Sequence, residues 1–118
     1  MDWVYQGKGT RLCGQACVAM IAGITLDEAV KLFGTKGGTR TKHVVDAFNK
    51  LGVKTGKLTR VSKKNKKTDL CMVVIHYSFS NRKHWTIWNK DKYYDPSIGV
   101  LTEYPLSVRE TSFLPVYK

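Results

Sequence analysis

Residues 16–22, Ala-Cys-Val-Ala-Met-Ile-Ala, are apolar on every side. That pattern predicts a short helix buried all round rather than one lying on a surface. Gly23 ends it. Thr25-Leu26-Asp27-Glu28 then reads as a capping box, in which the Thr25 hydroxyl and the Glu28 carboxylate satisfy free amides at a helix start. Leu26, Ala29, Val30 and Phe33 mark one face of this second helix, and Gly34 stops it. A polar, glycine-containing loop over Thr35–Arg40 leads to a third helix from Thr41. Val44, Val45, Phe48 and Leu51 share its apolar face, with Gly52 as the stop.

Beyond Gly52 the period changes. Val53–Val61 alternates loosely, as a strand would. Leu70–Tyr77 is a nearly continuous apolar run, the pattern of a central strand covered on both faces. Ser78–Lys83 reads as a mostly polar loop. His84–Trp88 is a strand, Asn89–Lys92 a turn and Tyr93–Asp95 the returning strand. Ser112–Tyr117 adds a last strand, with Pro115 arguing for a sheet edge. Helices first and an antiparallel sheet second predict an α+β fold. With 118 residues, one domain spanning 1–118 is expected.

Composition adds a charge imbalance. Lys and Arg number 20 against 9 Asp and Glu, a formal net charge of +11. Seven of these cations fall between Lys54 and Lys67, with no acid until Asp69. A solvated loop is the plain reading, and a patch for an acidic partner the sharper one. No aromatic residue interrupts the stretch, so the stacking platform of a single-strand nucleic-acid groove is missing there. A nucleic-acid partner stays open on charge alone and is not favoured. No apolar run approaches membrane-spanning length. The N-terminal residues lack the basic region and long apolar stretch of a secretory signal, so the expected compartment is the cytoplasm where the chain is made. The 3 cysteines, an odd number, do not form a disulfide framework.

The candidate chemistry starts at Cys13, just before the buried helix. Helix N-termini present free amides and partial positive charge, which lower a thiol's pKa and can receive an oxyanion. Gly14 would let a substrate backbone approach. Cys17 and Cys71 fall in apolar segments and read as packing. A thiolate nucleophile needs a base. Of the three histidines, His43 opens the third helix and reads as surface, and His76 ends the central strand. His84 begins the next strand beside a loop. If the following turn centres on Lys90-Asp91, Thr86 faces Asp95. His84 is then diagonal to Asp95 on the same face, roughly 7–8 Å away between backbones and within reach of long side chains. Asp95 can thereby orient His84, as a triad requires. Gln6, seven residues before Cys13, carries an amide able to donate to an oxyanion.

Gln6, Cys13-Gly14-Gln15-Ala16-Cys17, Gly38-Thr39, Leu51-Gly52-Val53, His84-Trp85 and Asp95-Pro96 together resemble the papain-like C39 peptidase domain. That domain occurs at the N-terminus of bacteriocin-exporting transporters and in free-standing C39-like proteins. The resemblance spans most of the chain. It implies a papain-like fold whose N-terminal helices, with the nucleophile at the start of a buried one, pack on a C-terminal antiparallel sheet. It also implies a cysteine peptidase with Cys13 as nucleophile, His84 as base, Asp95 as its orienting carboxylate and Gln6 in the oxyanion hole. The chain departs from the family pattern at Leu12, where Asp is usual. It departs again at Lys83 and Trp85 around the histidine, and in a Gln6–Cys13 spacing one residue longer. Its small size and lysine content suggest a phage, mobile-element, toxin or effector protein.

Two further classes remain open at this level. One is a catalytically silent papain-like module that binds an acidic partner through its basic face. The other is a zinc site built from Cys13, Cys17, Cys71 and a histidine, although the spacing lacks the tight Cys-x2-Cys turn of common zinc modules. Neither a cofactor nor a metal is expected. The expected partner is a peptide or protein substrate, acidic if the basic stretch recruits it, and nothing in the sequence addresses the oligomeric state.

Overall fold

The computed structural model describes residues 1–77 and 82–118. The polar loop expected over Ser78–Lys83 falls, at residues 78–81, outside the described residues. Three helices come first: α1 (Cys13–Ala22), α2 (Leu26–Phe33) and α3 (Thr41–Lys50). Seven strands follow: β1 (Lys54–Thr55), β2 (Thr59–Arg60), β3 (Leu70–Tyr77), β4 (Lys83–Asn89), β5 (Lys92–Asp95), β6 (Gly99–Leu101) and β7 (Val108–Tyr117). They form one antiparallel sheet in the order β1-β7-β3-β4-β5-β6, with β2 also paired to β7. This is the expected α+β arrangement.

The helices cover one face of the sheet. Cys17, Val18, Met20 and Ile21 of α1 and Val44, Ala47 and Phe48 of α3 pack against Met72, Val74, Trp85, Ile87, Leu114 and Val116. Cys71, Val73, Ile75 and Phe113 point to the other face, where Val61, Tyr77, Trp88, Tyr104 and Val108 cover them. A central strand buried on both faces has no polar side to show, which is why Leu70–Tyr77 reads as a continuous apolar run.

The two ends of the helical half are treated differently. Thr25 and Glu28 complete their capping box on α2, each accepting the other's backbone N–H at 3.1 Å. His43 Nδ1 accepts the Arg40 N–H at 3.0 Å, so this histidine serves the start of α3. At the start of α1, by contrast, Leu12 offers no side-chain cap and the first turn carries no acid. A missing cap costs about 1 kcal/mol, and it leaves the first amides of α1 free of a side-chain partner.

Pro115 lies inside the sheet, not at its edge: β7 has β3 on one side and β1 and β2 on the other. The Pro115 carbonyl accepts from Gly56 N–H at 2.9 Å, so its N faces the same outer side. There the neighbouring pairing breaks between Thr55 and Thr59, so the donor that proline lacks is not demanded by β3. The expected Val53–Val61 strand is correspondingly divided into two short bridges. The β4–β5 register pairs Ile87 with Tyr94, Trp88 with Tyr93 and Asn89 with Lys92, as a turn centred on Lys90-Asp91 requires.

Candidate active site

Cys13 is the first residue of α1, inside the helix rather than just before it. Gly14 has a packing role there. A Cβ at this position would collide with Thr39 Oγ1 and lie 3.4 Å from Trp85 Cδ1. The space that seemed meant for substrate is filled by Thr39. The loop carrying Thr39 is in turn pinned by Gln15. That side chain is fully buried, and its amide nitrogen donates to the Thr35 carbonyl at 3.0 Å and to the Gly37 carbonyl at 3.1 Å.

His84 and Asp95 meet as the register argued. His84 Nε2 lies 2.8 Å from Asp95 Oδ1, and Asp95 has no exposed surface. His84 also hydrogen-bonds the Cys13 thiol, and with Nε2 turned to Asp95 the ring nitrogen left for that contact is Nδ1. Cysteine, histidine and carboxylate thus form a continuous chain from the helix start to the buried side of the sheet.

Charge follows geometry. Burial pushes the Cys13 thiol up, but the hydrogen bond and charge of His84, with the backbone at Trp85 and Gly14, more than offset this, and its pKa lies below the ordinary thiol value. Burial pushes His84 down, yet the hydrogen bonds and charges of Asp95 and Cys13 raise it to about 9. For Asp95 burial opposes ionisation, and His84, Tyr104 and the Ser97 amide outweigh it, so its carboxyl is held below the usual range. These directions all favour a thiolate–imidazolium pair beside an ionised carboxylate. Burial alone dominates the other thiols: Cys17 is raised well above its ordinary value and Cys71 to about 12. The cysteines and histidines do not assemble a metal-holding group among the described residues.

Asp95 has more partners than the sequence reading assigned it. Ser97 donates to Oδ1 through both its backbone N–H, at 2.9 Å, and its hydroxyl, at 2.7 Å. Tyr104 donates to Oδ2 at 2.5 Å, and the same hydroxyl lies 2.9 Å from Thr86 Oγ1. Ser97 was legible as an Asx turn in Asp-Pro-Ser, and Thr86 as the residue facing Asp95. Nothing local marks Tyr104. It is held by tilted ring contacts, its centroid 4.7 Å from that of Tyr93, which is itself 4.7 Å from that of Trp88. Lys67 lies 4.9 Å from the Trp88 ring and pairs with Glu110 at 2.8 Å. One cation of the basic stretch is therefore structural.

The N-terminal segment is tied to the same place. Trp3 Nε1–H donates to the Asp95 carbonyl at 2.7 Å, and Gln6 N–H to the Pro96 carbonyl at 2.9 Å. These bonds bring Gln6 into the cleft that Cys13 and His84 line. Gln6 Nε2 donates one hydrogen to the Thr10 carbonyl at 3.0 Å, while its buried Oε1 has no partner among the described residues. The cleft encloses about 1190 Å³ and also receives His76 and Trp85. Burial, with Arg109 and Lys83 nearby, lowers the His76 pKa. No helix among the described residues is long and apolar enough to cross a membrane.

No protein-family model matches the sequence, and no curated protein matches it. Among solved structures, the chain is similar to the peptidase domain of Streptococcus ComA, a bifunctional ABC transporter involved in a quorum-sensing pathway. The match has a TM-score of 0.68 at 20% identity and covers 97% of each chain. Three helices leading into an antiparallel sheet, superposable over nearly the whole length on that domain, give this chain the fold of a papain-like peptidase domain, the architecture its C39 resemblance implied.

Proposed function

We propose that residues 1–118 form a single peptidase domain, a cysteine peptidase or closely related thiol-dependent amide hydrolase acting on a peptide or protein. Cys13 is the nucleophile, His84 the acid and base, Asp95 the carboxylate that orients and charges His84, and Gln6 a donor to the oxyanion.

The Cys13 thiolate attacks the substrate carbonyl carbon. The oxygen that gains charge faces the uncapped first turn of α1, where amides without a side-chain cap and the helix dipole favour an anion. The second hydrogen of Gln6 Nε2 adds a donor from the cleft lining. As the C–N bond breaks, His84 passes its Nδ1 proton to the leaving amine, and a thioester to Cys13 remains. Water then gives a proton to His84 and attacks the thioester, releasing the carboxylic acid and restoring the thiolate.

One observation carries this reading: His84 Nε2 is held at 2.8 Å by a fully buried, multiply hydrogen-bonded Asp95 while the same ring bonds Cys13. The fold shared with a peptidase domain supports it. The test is digestion of an unbiased synthetic peptide mixture, with cleavage sites read by mass spectrometry. The intact protein should generate new termini, and Cys13→Ala and His84→Ala should not. An intact protein that cuts nothing, and whose Cys13 ignores a peptidyl electrophile, would overturn the proposal.

A further inference from the structure

The wall of the cleft is strongly one-signed. Arg11, Arg40, Arg60, Arg82 and Lys83 line it together with Cys13 and His84, and no Asp or Glu is among the lining residues described. All five of these cations are exposed. Arg11, Arg40, Arg60 and Lys83 have no carboxylate partner among the described residues. They come from four separate places: the segment before α1, the start of α3, the short strand β2 and the start of β4. Segments distant in sequence therefore bring the same sign of charge to the one cleft that Cys13 lines.

Unpaired cations crowded around a concave site repel one another, and a complementary anion relieves that repulsion. The exposed lysines at 63, 64 and 66 differ, since each faces open solvent on a turn away from the cleft lining. Guanidinium groups also suit carboxylates through their paired N–H donors.

Resting on the peptidase reading, we infer that the cleft selects acidic substrates: peptides with Asp or Glu close to the scissile bond, bound by Arg11, Arg40, Arg60 and Lys83. The cleft arginines, rather than the lysine-rich 62–66 turn, carry the preference.

The experiment has a turnover arm and a binding arm. In the first, the peptide mixture is digested at low and at high salt. Cut sites should be enriched in Asp and Glu, and a Glu-flanked peptide should exceed its Gln-flanked twin in kcat/KM by about tenfold or more at low salt, the gap closing as salt rises. Arg40→Glu/Arg60→Glu should abolish or reverse the preference. Lys63→Glu/Lys64→Glu, which changes the net charge equally, should not. Circular dichroism verifies that both variants are folded. In the second arm, the Cys13→Ala protein is titrated with fluorescein-labelled Glu-, Gln- and Lys-flanked peptides and with a 20-nucleotide oligothymidylate. The Glu peptide should bind best among the peptides, and its binding should weaken with Arg40→Glu/Arg60→Glu.

Turnover indifferent to flanking charge would overturn the inference and leave the peptidase reading standing. Glu-selective binding without any turnover would do the reverse. Equal loss in both charge-reversal variants would reduce the effect to net charge and overturn the cleft assignment. Tighter, arginine-dependent binding of the oligonucleotide would overturn it in favour of a nucleic-acid groove.

Discussion

Tyr104 donates a hydrogen bond to Asp95 Oδ2 at 2.5 Å from a loop nine residues further along the chain. The buried carboxylate that faces His84 is thereby held from behind, and the tilted ring contacts through Tyr93 to Trp88 fix the donor. Hydrogen bonds to charged groups contribute roughly 1.5–3 kcal/mol. Tyr104→Phe keeps the ring contacts and removes the donor. Asp95 becomes harder to ionise and is less firmly oriented toward His84, so the ring is held less well in line with Cys13 and the thiolate is less favoured at neutral pH. The expected outcome is a kcat lowered by about tenfold or more, with the alkylation profile of Cys13 displaced to higher pH. A stability loss with an unmoved alkylation profile would restrict Tyr104 to packing.

Cys13 should alkylate first. Its pKa is lowered and it is partly exposed, whereas Cys17 and Cys71 are fully buried with raised pKa values. Mass mapping after brief iodoacetamide treatment at pH 7 should place the label on Cys13. His76→Ala should leave that labelling rate unchanged, because the hydrogen bond to the thiol belongs to His84. His84→Ala should slow it at least tenfold.

Turnover and alkylation should separate at alkaline pH. Both rise as pH passes through the lowered Cys13 pKa. Above about 9 His84 gives up its proton, so no acid remains for the leaving amine and kcat falls. Alkylation needs only the thiolate and should persist. A kcat that keeps rising well above that pH would remove His84 as the proton donor.

The same shifts set a stability signature. His84 is raised in the fold, so its contribution is full below its unfolded value of about 6.5 and is lost as pH climbs toward about 9. Cys13 is lowered, so its contribution grows with pH across the window between its folded and unfolded values. The two slopes oppose one another in the intact protein. Cys13→Ala removes one of them, and its Tm should fall from pH 6.5 to pH 9 more steeply than that of the parent.

Gly14→Ala should destabilise the protein, although alanine is the better helix former by about 1 kcal/mol. The added Cβ meets Thr39 Oγ1, and overpacking of this kind costs about 1–3 kcal/mol. Thr39→Ala removes the colliding hydroxyl, so Gly14→Ala/Thr39→Ala should recover much of the loss. A purely additive double variant in thermal unfolding would show that the contact is not the cause.

Asp95 makes two kinds of contact at once. Its side chain accepts the Ser97 N–H across the Asp-Pro turn and also faces His84 Nε2. An Asx turn orients the carboxylate, and the orientation serves the histidine. Asp95→Asn should therefore lower both stability and thiolate reactivity at neutral pH, and catalysis less than Cys13→Ala does.

Much of this arrangement follows from local rules. The apolar run of α1, the Thr25–Glu28 box, the continuous burial of β3 and the Lys90-Asp91 turn each depend on neighbours within a few residues. Because strand pairing transmits register, that turn also places Thr86 opposite Asp95 and His84 diagonal to it. Other features depended on groups brought together from far along the chain. Pro115 is tolerated inside the sheet only because its nitrogen faces the gap between β1 and β2. Gly14 is small because Thr39 arrives from a loop that Gln15 holds. Tyr104 reaches Asp95 from a loop held by tilted aromatic contacts, and four cations meet at one cleft from segments that show no common pattern. Periodicity and capping are interactions between near neighbours and are written in order along the chain. Packing of loop on helix, second donors to a buried charge and the sign of a cleft are sums over distant segments, and only the folded chain performs that sum.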